Sequence, residues 1–107
     1  MLDGCRVYHD FPAEKFNIDH VVIGPSGVFA VETKARSKPD NGRGKLDATV
    51  VCHGDHLVFP HGSDYASVEQ ALRQAAWLSR WLTSAVGEKV PVKPALVIPG
   101  WFVERKK

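Results

Sequence analysis

The reading of this chain turns on one stretch, Asn17-Ile18-Asp19-His20-Val21-Val22-Ile23-Gly24-Pro25-Ser26-Gly27-Val28-Phe29-Ala30-Val31-Glu32-Thr33-Lys34. Two strand-like runs, 17 to 23 and 28 to 34, flank Gly24-Pro25-Ser26-Gly27, where proline fixes φ and the glycines permit a turn. Strand, short turn, strand predicts an antiparallel hairpin. Side chains alternate along a strand, so Glu32 and Lys34 share one face and Thr33 takes the other. Asp19, on the partner strand, belongs to the same edge of the hairpin. Two carboxylates converging beside a lysine suit a divalent-metal hydrolase. Hard oxygens hold the ion, the ion polarises a phosphodiester, and a cation positions the attacking water. An isolated Glu-x-Lys is also an ordinary surface ion pair worth under about 1 kcal/mol. It is Asp19 that separates the two readings.

Outward from the hairpin, Cys5 to Phe11 alternates like a half-buried strand that Pro12 stops. Ala35 to Lys45 reads as an exposed loop, rich in turn formers and carrying Arg36, Lys38, Arg43 and Lys45, a position that suits phosphate contacts. Thr49 to His53 and His56 to Phe59 flank Gly54-Asp55 as a second hairpin. One helix is expected from about 67 to 86, with Ser67 and Gln70 forming a capping box and Gly87 just past the end. Val68, Leu72, Ala75, Leu82 and Val86 recur at helical spacing as its packing stripe. Ala95 to Ile98 is a short strand after Pro94. The fold expected is α/β, bordering on α+β: a small mixed sheet with one long helix packed on it.

At 107 residues and 11.8 kDa the chain allows a single domain. Hydrophobic residues make up 44% and charged residues 24%, an ordinary globular balance that excludes a disordered tail or a fibrous repeat. No apolar run approaches the roughly 20 residues needed to cross a bilayer, and no basic-then-apolar leader opens the chain. Cys5 and Cys52 are too few for a disulfide scaffold, which makes a cytoplasmic location the expectation. A net charge of +2 permits a nucleic-acid partner without demanding one.

The segment from Asn17 to Lys34 resembles the core of the nuclease-related domain, NERD, a family placed in the PD-(D/E)xK superfamily with its restriction-endonuclease-like fold. The resemblance continues more weakly through Ser67 to Leu82, where Gln70 matches a family glutamine near the start of a helix. It implies that Asp19 and Glu32 are metal ligands with the backbone carbonyl of Thr33 as a further one. It implies that Lys34 orients water or stabilises developing negative charge, and that Gln70 assists near the site. The implied activity is Mg²⁺-dependent hydrolysis of phosphodiester bonds, with Mn²⁺ as a substitute and DNA as substrate. The family's architectures imply association with helicase or kinase modules. Superfamily members usually begin with a helix bearing another glutamate. Here a strand begins by about Cys5, and Asp3 and Asp10 do not replace that acid, so the expectation is a truncated or excised domain with an exposed sheet face that favours a homodimer.

Other residues have plainer readings beside functional ones. Gln70 is explained by helix capping as well as by a site role. Gln70, Gln74, Trp77 and Trp81 lie along one flank of the helix, where aromatics are more often packing than a base-stacking surface. Cys52, His53, His56 and His61 match no common zinc spacing. His20 alternates away from Asp19 and reads as structural. Against the nuclease stands a second reading, a catalytically silent nuclease-like module that binds nucleic acid or docks a protein.

Overall fold

The computed structural model of the protein describes residues 4–36 and 49–105. Among them are eight strands and one helix in an α+β arrangement. The expected hairpin is β2 (Asn17–Gly24) and β3 (Gly27–Thr33), antiparallel, with Val22 opposite Phe29 and Gly24 opposite Gly27. Gly27 takes φ 127°, a conformation that costs glycine little, which is how two residues suffice for the turn. On one side β1 (Arg6–Pro12) pairs antiparallel with β2, Pro12 ending it at a sheet edge where no ladder donor is missed. On the other side β7 (Val92–Val97) runs parallel to β3, giving the order β1-β2-β3-β7.

The strands form two mixed sheets rather than one. The second contains β4 (Thr49–Cys52), β5 (Leu57–Phe59), β6 (Gly62–Asp64) and β8 (Phe102–Arg105) in the order β6-β5-β4-β8. The hairpin across Gly54-Asp55 is present as β4 and β5. β6 and β8 were not expected from their short, polar-interrupted sequences, and β7 begins three residues before the expected Ala95. Pro94 does not interrupt β7 because that strand lies at the sheet edge.

The helix α1 (Ala66–Val86) is bounded much as expected, but two of its details differ. The capping box is absent: Tyr65 is the N-cap residue and makes no side-chain cap bond. Asp64 does the capping instead, its Oδ1 accepting from the Ser67 N–H at 2.9 Å and its Oδ2 from the Ser67 hydroxyl at 2.7 Å. A carboxylate here also complements the positive end of the helix dipole. The packing stripe is rotated. Ser67, Ala71, Gln74, Ala75 and Leu78 are the buried residues, whereas Leu72 is 52% exposed and Val86 58%. Only Ala75 of the expected stripe is fully buried. At the far end Gly87, in the left-handed conformation, donates its N–H to the Thr83 carbonyl. The next turn is clasped back by Ser79 Oγ donating to the Val90 carbonyl at 2.6 Å and Val90 N–H donating to Thr83 Oγ1 at 3.0 Å.

The helix bridges two apolar cores. Ile18, Val21, Ala30, Ala75 and Leu78 form the core under the first sheet. Val50, Leu57, Phe59, Ile98 and Trp101 form the other, with Val68 from the start of α1 packed against it. No helix is long and apolar enough to cross a membrane among the described residues.

Candidate active site

The β2–β3 register sums to 51 (His20 opposite Val31, Val21 opposite Ala30), and one further step places Asp19 opposite Glu32. Val21 and Ala30 are buried beneath the helix, so alternation turns Asp19 and Glu32 to that same face. Glu32 is 6% exposed at the end of an otherwise apolar strand. Its carboxyl has hydrogen-bonding neighbours in Asp19 and in Gln74 of the helix, yet Oε2, buried, finds no partner among the described residues. Burial pushes the Glu32 carboxyl above its ordinary range, and the hydrogen bond and negative charge of Asp19 push the same way. Gln74 and the Lys34 ammonium pull it back without cancelling the rise.

Asp19 is held at its other side by the main chain, its Oδ2 accepting from the Thr33 N–H at 2.9 Å. Lys34 follows the last residue of β3, but its own N–H still bonds to the Val97 carbonyl at 2.9 Å, so its backbone is anchored to β7. Its Nζ donates to Gln70 Oε1 at 2.9 Å. Asp19, Glu32, Thr33, Lys34 and Gln70 are thus brought together where β2 and β3 meet the first turns of α1. Gln70 takes no part in a capping box, and its side chain accepts from the lysine instead.

Gln74, read above only as one of a row along a helix flank, adjoins the carboxylates as well. Gln74 is 3% exposed and bonds to Glu32, one turn on from Gln70. The available signal was that two glutamines at i and i+4 share a helix face, and a polar pair there is unusual on a buried stripe.

Arg36, counted above among residues suited to phosphate, is taken up by the fold. Its guanidinium bonds to Asp64 at 2.7 Å and Ser67 at 3.1 Å and lies over the Phe59 ring. Its carbonyl accepts from the Trp101 indole at 3.1 Å. The Asp64 carboxyl is opposed by burial, but the Ser67 N–H, the Ser67 hydroxyl and Arg36 together hold it below its ordinary range. Lys38, Arg43 and Lys45 lie outside the described residues. His20 faces away from Asp19, its Nδ1 meeting Nδ1 of His9 at 2.8 Å. His53 and His56 stack on each other, and His56 on Tyr65.

No cluster of three or more His, Cys, Asp or Glu side chains able to hold a metal occurs among the described residues. Two carboxylates are nevertheless a usual protein contribution to a Mg²⁺ site, whose remaining positions go to water and substrate oxygens. A buried, unpartnered carboxylate oxygen beside a second carboxylate fits a hard cation and gives a soft one nothing.

Comparison with curated proteins and with solved structures gives no match to the chain. The family model of the nuclease-related domain, NERD, matches residues 1–99, and with that share of its length covered the chain belongs to the nuclease-related domain family.

Proposed function

We propose that the domain hydrolyses phosphodiester bonds of DNA with a divalent cation, Mg²⁺ or Mn²⁺. Asp19, Glu32 and the Thr33 carbonyl would hold the ion. The observation that carries this reading is the Glu32 Oε2 atom, buried beside Asp19 and Lys34 without a hydrogen-bond partner among the described residues. An orphaned acceptor of this kind costs about 1–3 kcal/mol, which a bound cation would relieve. When bound, the cation polarises the phosphodiester and acidifies its water.

The chain's own groups account for the rest. Lys34 would orient the attacking water and stabilise negative charge as it builds on the phosphate. Gln70 fixes the ammonium through its Oε1, so the charge is positioned before substrate arrives. Gln74 plays the same part for Glu32, holding one side of the carboxyl.

The test is nicking of supercoiled plasmid and cutting of single-stranded DNA with Mg²⁺ or Mn²⁺, against EDTA and a Lys34→Ala variant. Metal-dependent nicking that Lys34→Ala loses is the expected result. No cutting by folded protein overturns it. The second reading, a silent nucleic-acid-binding or docking module, has in its favour that only two carboxylates converge among the described residues. A silent site would gain no stability from Mg²⁺.

A further inference from the structure

We infer that Trp81 is a stacking platform for an unpaired base, and that the nucleic acid this domain engages is single-stranded DNA or a frayed end leading into the carboxylate site. The inference rests on the proposed nuclease reading for its ligand class. Its own carrier is an aromatic cluster continuous with that site.

Phe11 pairs with Ile18 across β1 and β2, one residue from Asp19. Around it, Phe11 forms T-shaped contacts with Trp81 (ring centroids 5.4 Å, interplanar angle 79°) and Trp77 (6.5 Å, 63°), and Phe16 forms one with Trp77 (5.9 Å, 75°). The two indoles lie nearly parallel, 17° apart at 6.3 Å. Gln74, Trp77 and Trp81 follow one flank of α1, so Trp81 lies about 10 Å along the helix from the glutamine that contacts Glu32.

The two tryptophans differ in burial. Trp77 packs against the first core, as an ordinary packing aromatic does. Trp81 is 47% exposed and outside that core. Its ring is braced by the T-shaped contact with Phe11 and the near-parallel one with Trp77, while about half of the residue stays exposed. A braced, half-exposed indole offers surface for base stacking, and such stacking is indifferent to sequence.

The charged residues close in sequence to these aromatics, Lys15, Arg80, Asp10 and Glu14, are exposed and of both signs, so the sequence lays no basic stripe beside them. A duplex offers mainly its phosphates and keeps its base faces stacked inward, so a charge-balanced aromatic patch suits it poorly. An unpaired strand presents the π-faces that Trp81 can take.

The experiment measures binding by anisotropy of a labelled single-stranded oligodeoxynucleotide and of a blunt duplex of equal length, both in EDTA. Wild type is compared with Trp81→Leu, which keeps apolar bulk and removes the π-face, and with Trp81→Tyr, which restores one. Expected are preference for the single strand, a loss of at least about five-fold in Trp81→Leu for that strand alone, and recovery in Trp81→Tyr. Unchanged single-strand affinity in Trp81→Leu overturns the inference, as does an equal loss on both DNAs. Sedimentation of the same proteins supplies a further way to fail: a wild-type dimer that Trp81→Leu converts to monomer would assign the patch to a second copy. Because binding is read without metal, a wild type that binds in this way yet never cleaves overturns the hydrolytic reading alone. A wild type that cleaves but does not need Trp81 overturns only this one.

Discussion

The Lys34 ammonium donates to Gln70 Oε1 at 2.9 Å, tying the end of β3 to the second turn of α1. The pair is 36 residues apart in sequence and part-buried, so it is a tertiary clamp on a cation beside the carboxylates. Lys34→Ala is expected to lower metal-dependent nicking by about 10²–10³-fold, the scale for losing one preorganised electrostatic group. Gln70→Ala, which frees the lysine without removing it, should cost about ten-fold. Parallel rate measurements with far-UV dichroism check both, and equal rates in wild type and Lys34→Ala would end the catalytic role.

Glu32→Gln should change the pH dependence of stability in a defined direction. The folded chain holds a proton on Glu32 more tightly than the unfolded chain does, where the value is near 4.5. The stability this adds is fully present below about 4.5 and is lost as pH rises through the raised folded value. Wild type should therefore lose stability across that window without metal, and the glutamine variant should lose less. At neutral pH the variant should melt a few degrees higher, on the scale of about 1 kcal/mol.

Magnesium should reverse the penalty. A site that binds only the folded chain adds about 2.7 kcal/mol at a hundred times its Kd. The gain should grow with pH, since metal displaces the proton on Glu32. Melting curves of wild type, Asp19→Ala and Glu32→Gln with and without Mg²⁺ decide this: a rise confined to wild type supports the ligand pair, and an equal rise in all three refutes it.

Asp64→Ala removes the true helix cap and the partner of Arg36 together, at an expected cost of about 1–3 kcal/mol. Its depressed carboxyl contributes stability that is present above about 3.8 and lost as pH falls through the still lower folded value. The variant should lose less stability than wild type across that acid range, which urea midpoints measured at stepped pH would show.

Leu78→Ala and Leu72→Ala distinguish the two possible helix faces. Leu78 is 0% exposed, and its truncation should cost about 2–5 kcal/mol. Leu72→Ala, on an exposed position, should cost under about 1 kcal/mol. Reversal of that order in denaturant titrations would contradict the orientation of the helix.

What could be read from the residues was whatever local rules control. The β2–β3 hairpin follows from Gly24-Pro25-Ser26-Gly27, and the extent of α1 from its periodicity and Gly87. Side-chain alternation put Glu32 and Lys34 on one face, and Asp19, Glu32, Lys34 and Gln70 do lie together. What escaped was set by distant partners. Ser67 looks like a cap until Asp64 and Arg36 claim its hydroxyl, and Leu72 looks like core until Gln74 takes the buried flank to satisfy Glu32. Of the second sheet only the β4–β5 hairpin was legible; β8 escaped because it pairs with β4 across some fifty residues, a partnership no local pattern announces.

The single helix shared by two cores has a consequence for genetics as much as for folding. Val68 anchors α1 on one core and Ala75 with Leu78 anchor it on the other, and Gln70 and Gln74 sit between these moorings. Neither sheet is a spectator. A lesion at Leu57 or Trp101, remote from any reacting atom, would let the helix drift and misplace both glutamines. In a screen for lost function such alleles would be hard to tell from damage to Asp19 or Lys34 themselves.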